Sequence, residues 1–290
     1  MPVAESRCRW PVAGGRWKAA RGPALPLATG IWHPASACRL WGFYNCSLSR
    51  RRFFVDAVRG GIAELRGDEA RHLTRVLRVE AGMRFEVSDN QAAYLAEIVE
   101  ARGERVVFRI VEPLHTPVPP VAITLCAALI KFDRFEWMIE KATELGVERI
   151  LPIEATRSER GLFEASRKRT ERWVRIARES SQQSRRVRIP EILPAVRFEK
   201  SLALEADYRY FLDEGEGECQ APPFLRLMPA ERPAGRRVAV LVGPEGGWTD
   251  AERQLSAVAG WPPVSLGPQV LRAETAASAA VAVLMNAWIA

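Results

Sequence analysis

VAVLVGPEGGW, residues 238–248, is the stretch that decides the fold. A short, β-branched apolar run that breaks into proline and glycine reads as a buried strand ending in a turn. Thr249 and Glu252 follow at capping-box spacing, so a helix starts there and runs to about residue 259. Val264-Ser265-Leu266-Gly267 then repeats strand and glycine turn, and Leu271-Arg272-Ala273-Glu274-Thr275 opens an Ala-rich closing helix over residues 273–287. Strand, glycine turn and capped helix, twice in succession, build a pocket at the carboxyl edge of a sheet. Glycine lets the backbone approach a ligand closely, and its amide is free to bind one. The loop lacks the Gly-Lys-Ser/Thr ending of a P-loop and does not match GxGxxG. Glu245, Arg272, Glu274 and Thr275 place polar groups beside the pocket.

Upstream, the same alternation extends over residues 121–290. The pattern predicts a strand at 121–130 and a helix at 133–145, capped by Asp133 with Glu136 three residues on and ended by Gly146. A strand at 149–153, a basic helix at 166–183 and a strand at Tyr208–Leu212 follow. Alternating strands and helices argue for an α/β domain with a mostly parallel sheet. Residues 50–115 read differently, as short strands at 84–88, 93–100 and 105–111 around a helix at 68–78, which suits a small β-rich barrel. Residues 113–120 (PLHTPVPP) form a stiff linker between the two.

Residues 1–49 are unlike the rest, with four of the nine Trp and six Lys/Arg against Glu5 alone. They read as a disordered leader or an unused upstream start, with an Arg-rich transit-like segment as the alternative. They hold +5 of the chain's net +7, so global charge says little about partners. Local clustering says more: residues 157–188 carry eleven basic and four acidic side chains. Arg169 and Arg172, on successive helical turns, and Arg185-Arg186 beyond them, suit phosphate contacts to RNA. The competing reading is a solvated, salt-bridged face using Glu171 and Glu179. Arg51-Arg52 before Phe53-Phe54, and Arg75 on the first helix, are further RNA-contact candidates. Five Cys without CxxC spacing and three His argue against structural metal and for reduced thiols. No apolar run reaches the ~18 residues of a membrane span.

ALIKFDRFEWMIEKATELGVERILP (128–152), ERW…ESSQQSRR (171–186), LVGPEGGWTDAE (241–252) and LGPQVLRAETAA (266–277) together resemble the RsmE family of bacterial 16S rRNA uridine-N3 methyltransferases. The resemblance covers residues 51–290. It implies a PUA-like RNA-binding domain, then a SPOUT α/β domain with a C-terminal trefoil knot, working as a cytoplasmic homodimer. The substrate it implies is 16S rRNA of the small ribosomal subunit, methylated at N3 of the uridine catalogued as 1498. S-adenosyl-L-methionine would sit against Leu241, Val242, Gly243, Pro244, Glu245 and Gly246, and against Leu266, Gly267 and Leu271, with a third loop near Leu212-Asp213-Glu214. No metal is implied. Uridine N3 carries a proton that must leave, so Glu274 and Glu245 are candidate bases and Arg272 a candidate anion stabiliser. Glu274 reads alternatively as a first-turn acid favouring the helix dipole. Two positions depart from the family pattern: Gln269 replaces an arginine, and Arg185 replaces the glycine of Gln-Ser-Gly-Arg. Ribose 2′-O-methylation and a non-catalytic assembly factor are the alternatives.

Overall fold

Three cores follow from strand periodicity in the computed structural model, which describes residues 52–116, 118–215 and 221–289. The expectations for residues 1–49, Arg51 and Cys219 lie outside these. The first core belongs to a six-stranded sheet made of β1 (Arg52–Phe54), β2 (Val58–Arg59), β3 (Ile62–Arg66), β4 (Arg84–Ser88), β5 (Ala93–Arg102) and β6 (Arg105–Leu114), ordered β1-β4-β5-β6-β3-β2. β5 and β6 form a long hairpin around Gly103, whose φ of +56° glycine adopts without strain. Two register shifts in this hairpin bend the sheet. Phe53, Leu65, Phe85, Ile98 and Phe108 fill the inner face, and α1 (Asp68–Arg75) lays Ala70 and Leu73 onto it.

The second sheet is parallel throughout. Its strands are β7 (Val121–Ala128), β8 (Arg149–Glu154), β9 (Glu191–Ile192), β10 (Val196–Arg197), β11 (Tyr208–Leu212), β12 (Arg236–Val242) and β13 (Pro263–Val264). The order is β10-β8-β7-β12-β11-β13, with β9 pairing β8. Both faces are covered, as a parallel sheet requires. On β12, Val238, Val240 and Val242 enter one core while Ala239 and Leu241 enter the other. The core that holds Val238, Val240 and Val242 is closed by α2 (Phe132–Glu144), α4 (Thr170–Gln183) and α7 (Ala273–Ile289). The other holds Phe198 of α5 (Phe198–Ser201), Trp248 and Trp261, which flank α6 (Asp250–Val258).

Local expectations and structure differ in three places. Lys131, not Asp133, occupies the N-cap of α2, and no side chain caps it; Asp133 lies in the first turn, where its charge still favours the dipole. The basic helix is two pieces, α3 (Leu162–Ser166) and α4, separated at Arg167-Lys168-Arg169. The second glycine turn begins earlier than expected, because β13 ends at Val264. The capping box at Thr249 is present in both directions, with Glu252 N to Thr249 Oγ1 at 3.3 Å and Thr249 N to Glu252 Oε2 at 2.8 Å.

α2 and α4 end alike. After α2, Gly146 takes φ +100° and Val147 N bonds Ala142 O at 3.0 Å. After α4, Arg185 takes φ +57° and Arg186 N bonds Ser181 O at 2.9 Å. The left-handed position suits glycine and costs another residue about 1–2 kcal/mol. This turn faces the small domain. Ser88 Oγ donates to Val187 O at 2.7 Å, and Ile189 N donates to Asn90 Oδ1 at 2.8 Å. Arg178 of α4 bonds Glu69 of α1 at 2.5 Å and the Phe54 carbonyl at 2.7 Å.

Candidate active site

The chain passes from β11 to its neighbour β12, then back across β11 to β13 on the other side. The reversal opens a crevice at the carboxyl ends of the three strands, where open parallel sheets hold ligands. Three loops line it: Leu212-Asp213-Glu214 after β11, residues 242–248 after β12, and residues 265–273 after β13. The cavity between them measures about 60 Å³ and opens onto solvent.

Trp248 builds the floor. It is buried between Phe211, 4.7 Å away between ring centroids, and Phe198 at 5.3 Å. Its Nε1 donates to the Leu212 carbonyl at 2.9 Å, tying the glycine loop to the end of β11. Gly243 lies directly over this ring: a Cβ there would stand 2.9 Å from Trp248 Cε2. Gly247 takes φ +67° and donates its amide to Pro244 O at 2.9 Å. From outside, Arg157 Nη1 donates to Gly246 O at 2.9 Å, and Arg134 pairs with Glu245. Glu252 Oε1 accepts from the Thr156 amide at 2.8 Å, so the capping residue of α6 also anchors the loop that carries Arg157.

The loop after β11 is held electrostatically. Arg253 bonds the buried Asp213 at 2.9 Å, and Asp213 N donates to Val264 O at 3.0 Å. Burial pushes the Glu214 carboxyl up, the Asp213 charge adds to the rise, and Arg253 opposes it. Asp213 is paired with Arg253, so Glu214 is the acidic group that this loop offers a cationic ligand.

Of the residues that the sequence assigned to a cofactor, Val242, Gly243, Pro244, Glu245, Leu266, Gly267 and Leu271 line the crevice. Leu241 is buried beneath it, and Gly246 packs outward against Arg157. Arg272 is exposed and does not line the crevice. Glu274 is 7% exposed in the first turn of α7, beside the lining residues Ala273 and Ala276. Its Oε2 is buried with no hydrogen-bond partner among the described residues. Sequence reasoning missed Trp248 as the floor, Ser265, Ala273 and Ala276 as walls, and Arg134, Arg157 and Arg253 as braces. Those braces act across up to 111 residues of chain and leave no periodic signal.

The RNA-contact candidates divide. Arg75, Arg169 and Arg172 are exposed; Glu136 of α2 holds Arg172 Nε at 2.8 Å and Arg169 at 3.6 Å. The salt-bridged face is thus formed with Glu136, and through Arg178 with Glu69, rather than with Glu171 and Glu179. Arg52 and Arg186 correct the sequence reading. Arg52 is 8% exposed and spent on Glu86 and the Arg185 carbonyl. Arg186 donates to the carbonyls of Thr143 and Val147 that end α2, and burial brings its pKa down to about 10. Arg185 turns its guanidinium onto Glu86. Among the described residues no cluster of His, Cys, Asp and Glu could hold a metal, and no helix is long and apolar enough to cross a membrane.

Residues 117–285 match the family model described as an RNA methyltransferase domain, and 65–111 match an RNA methyltransferase PUA domain. The ribosomal RNA small subunit methyltransferase E of Aquifex aeolicus (strain VF5) is 34% identical over 235 residues, covering 81% of this chain and 98% of the relative. That of Bacillus subtilis (strain 168) is 28% identical over 240 residues, covering 78% and 92%. Among solved structures, a ribosomal RNA small subunit methyltransferase E from Neisseria gonorrhoeae bound to S-adenosyl methionine superposes with TM-score 0.73 at 28% identity, covering 82% of this chain and 98% of that one.

Proposed function

The chain belongs to the ribosomal RNA small subunit methyltransferase E family, and from that premise we propose that it methylates N3 of uridine 1498 in 16S rRNA. Its architecture is that of the family, a PUA-like domain followed by a SPOUT α/β domain. Residues 50–115 bind RNA and residues 121–290 carry the chemistry, with the closing segment forming a trefoil knot. Support for the knot is the return of α7 from the sheet edge at β13 to pack on β7, β12 and α2.

The crevice carries this reading. Its glycine loop packs Gly243 directly on Trp248, and apolar Val242, Leu266 and Leu271 share the lining with the Glu214 carboxyl, a fit for a nucleoside that bears a sulfonium. Residues 242–245, Leu266, Gly267, Leu271 and Leu212-Asp213-Glu214 would hold S-adenosylmethionine there, and it would supply an already activated methyl group. The chain's own residues must then handle the acceptor. Uridine N3 becomes nucleophilic as its proton leaves, and a positioned base contributes ~10²–10⁴-fold. Glu274 is the base in this reading, because its buried Oε2 lacks the donor that such an oxygen needs. Arg272, exposed two residues before it, stabilises the charge that develops on O2 and O4. Glu245 is engaged by Arg134 and orders the loop.

Exposed Arg75, Arg169 and Arg172 bind RNA phosphates, so affinity falls as salt rises. A second copy covers the apolar surface beside the crevice. Leu225 is 68% and Val270 78% exposed, next to hollows lined by Phe224, Leu266 and Val283. Such patches mark association sites.

Calorimetric titration of S-adenosylmethionine into the full chain and into Gly246→Trp tests the cofactor site. Gly246 packs on Arg157, so an indole there dislodges the loop. Micromolar binding lost in the variant fits the proposal. A folded wild-type chain that does not bind sinks the enzyme reading and leaves an RNA-binding assembly factor.

A further inference from the structure

Glu86, on β4 of the small domain, is 9% exposed and receives two guanidinium groups. Arg52 of β1 gives it Nε at 3.2 Å and Nη2 at 2.9 Å. Arg185, from the turn that ends α4 in the large domain, gives it Nε at 3.2 Å and also Nη2. Arg52 Nη1 closes the ring by donating to the Arg185 carbonyl at 2.7 Å. A buried carboxylate between two forked guanidiniums is stiff, because each fork fixes direction as well as distance. The bonds from Ser88 to Val187 O and from Ile189 N to Asn90 flank it, so residues 185–189 are stitched to the β4 region at three places.

Arg185 is held at φ +57°, a backbone region that suits glycine. A side chain kept against that backbone preference needs a compensating contact, and the only charged group it meets among the described residues is Glu86. We propose that Glu86 and Arg185, closed by Arg52, form an interdomain latch. The latch fixes the small domain against α4 and so sets where bound RNA presents its uridine to the crevice. Both are positioning residues, and the inference rests on the RNA-methylating function proposed above. Each domain has its own core, and Arg178 still ties Glu69 and Phe54, so opening the latch frees a position without unfolding either part.

The test compares the full wild-type chain with Arg185→Gly, Arg185→Lys and Glu86→Gln. It reads melting temperature, S-adenosylmethionine affinity, steady-state methylation of small-subunit RNA, and hydrogen exchange over residues 86–90 and 187–189. Arg185→Gly should melt at or above wild type, since glycine suits the turn, and should bind S-adenosylmethionine normally. Its kcat/KM for RNA should fall roughly tenfold, as a misplaced acceptor demands, with faster exchange in both segments. Arg185→Lys should recover part of the loss. Glu86→Gln should follow Arg185→Gly; should it fail to fold, leaving Arg52 buried without its counter-charge, Arg185→Gly decides alone. Exchange and kcat/KM of Arg185→Gly within twofold of wild type overturn the latch. A wild-type chain that methylates no small-subunit RNA overturns the function instead, and the exchange comparison still decides the latch.

Discussion

Replacing Gly243 by alanine isolates the packing on which the crevice depends. Its backbone is not in the left-handed region, so the added methyl is the whole perturbation. The new Cβ would stand 2.9 Å from Trp248 Cε2, 3.0 Å from Nε1 and 3.3 Å from Cδ2. Trp248 cannot retreat freely, because Phe198 and Phe211 hold its ring and it is 2% exposed. Overpacking of this kind costs about 1–3 kcal/mol. A shifted indole also releases its bond to the Leu212 carbonyl, which adds about 1 kcal/mol. Together these give about 2–4 kcal/mol, a drop of roughly 5–15 °C in melting temperature for a chain of this size. S-adenosylmethionine should bind at least about tenfold more weakly, because Gly243, Trp248 and Leu212 all line the crevice. Gly235→Ala is the control: nothing lies within 4 Å of its Cβ, and φ +79° alone costs about 1 kcal/mol. Trp248→Phe combined with Gly243→Ala should cost less than the two separately by about 0.5–1.5 kcal/mol, since the hydrogen bond can be lost only once. Gly243→Ala melting within a degree of wild type, with unchanged affinity, refutes the reasoning.

Glu274→Gln should lower kcat by ~10²–10⁴ with S-adenosylmethionine affinity unchanged. Full activity with a lower melting temperature would assign Glu274 to the helix dipole instead. Arg157→Ala removes the brace on Gly246 O from an exposed position, so calorimetry should show several-fold weaker cofactor binding with an unaltered melting temperature. Burial pushes the Cys126 thiol up to about 12, leaving on the order of 10⁻⁴ thiolate at pH 8, so iodoacetamide should label it only after denaturation. Glu214 has its folded pKa raised by burial, so its contribution to stability is full below the unfolded value of 4.5 and is lost as pH rises through the folded value. Glu214→Gln should therefore raise the melting temperature at pH 7 and leave it unchanged at pH 3.

Much of the fold was legible because its signals are local. Tyr208–Leu212 and Arg84–Ser88 are short stretches of aromatic and β-branched residues bounded by turns, and Thr249 with Glu252 is a cap readable at a spacing of three. Asp133 misled because the same spacing also fits a first-turn acid, and only the backbone of Lys131 separates the two. Strand order stayed hidden, since nothing in β11 says that β12 and β13 flank it. The glycine loops announced the crevice, but its floor and braces did not. Trp248 Nε1 could have met any buried carbonyl, and Arg157 meets Gly246 across 89 residues. Arg52 and Arg186 read as cations for RNA because composition records charge but not burial. Their partners, Glu86 on the neighbouring strand β4 and the end of α2, come within reach only once each domain has folded.

The most direct test of the account is mass spectrometry of nucleosides from small-subunit RNA incubated with the chain and S-adenosylmethionine. The account predicts one N3-methyluridine per 16S rRNA, lost in Gly246→Trp. A methyl group on a ribose 2′-oxygen, or none on RNA that the chain binds, contradicts it.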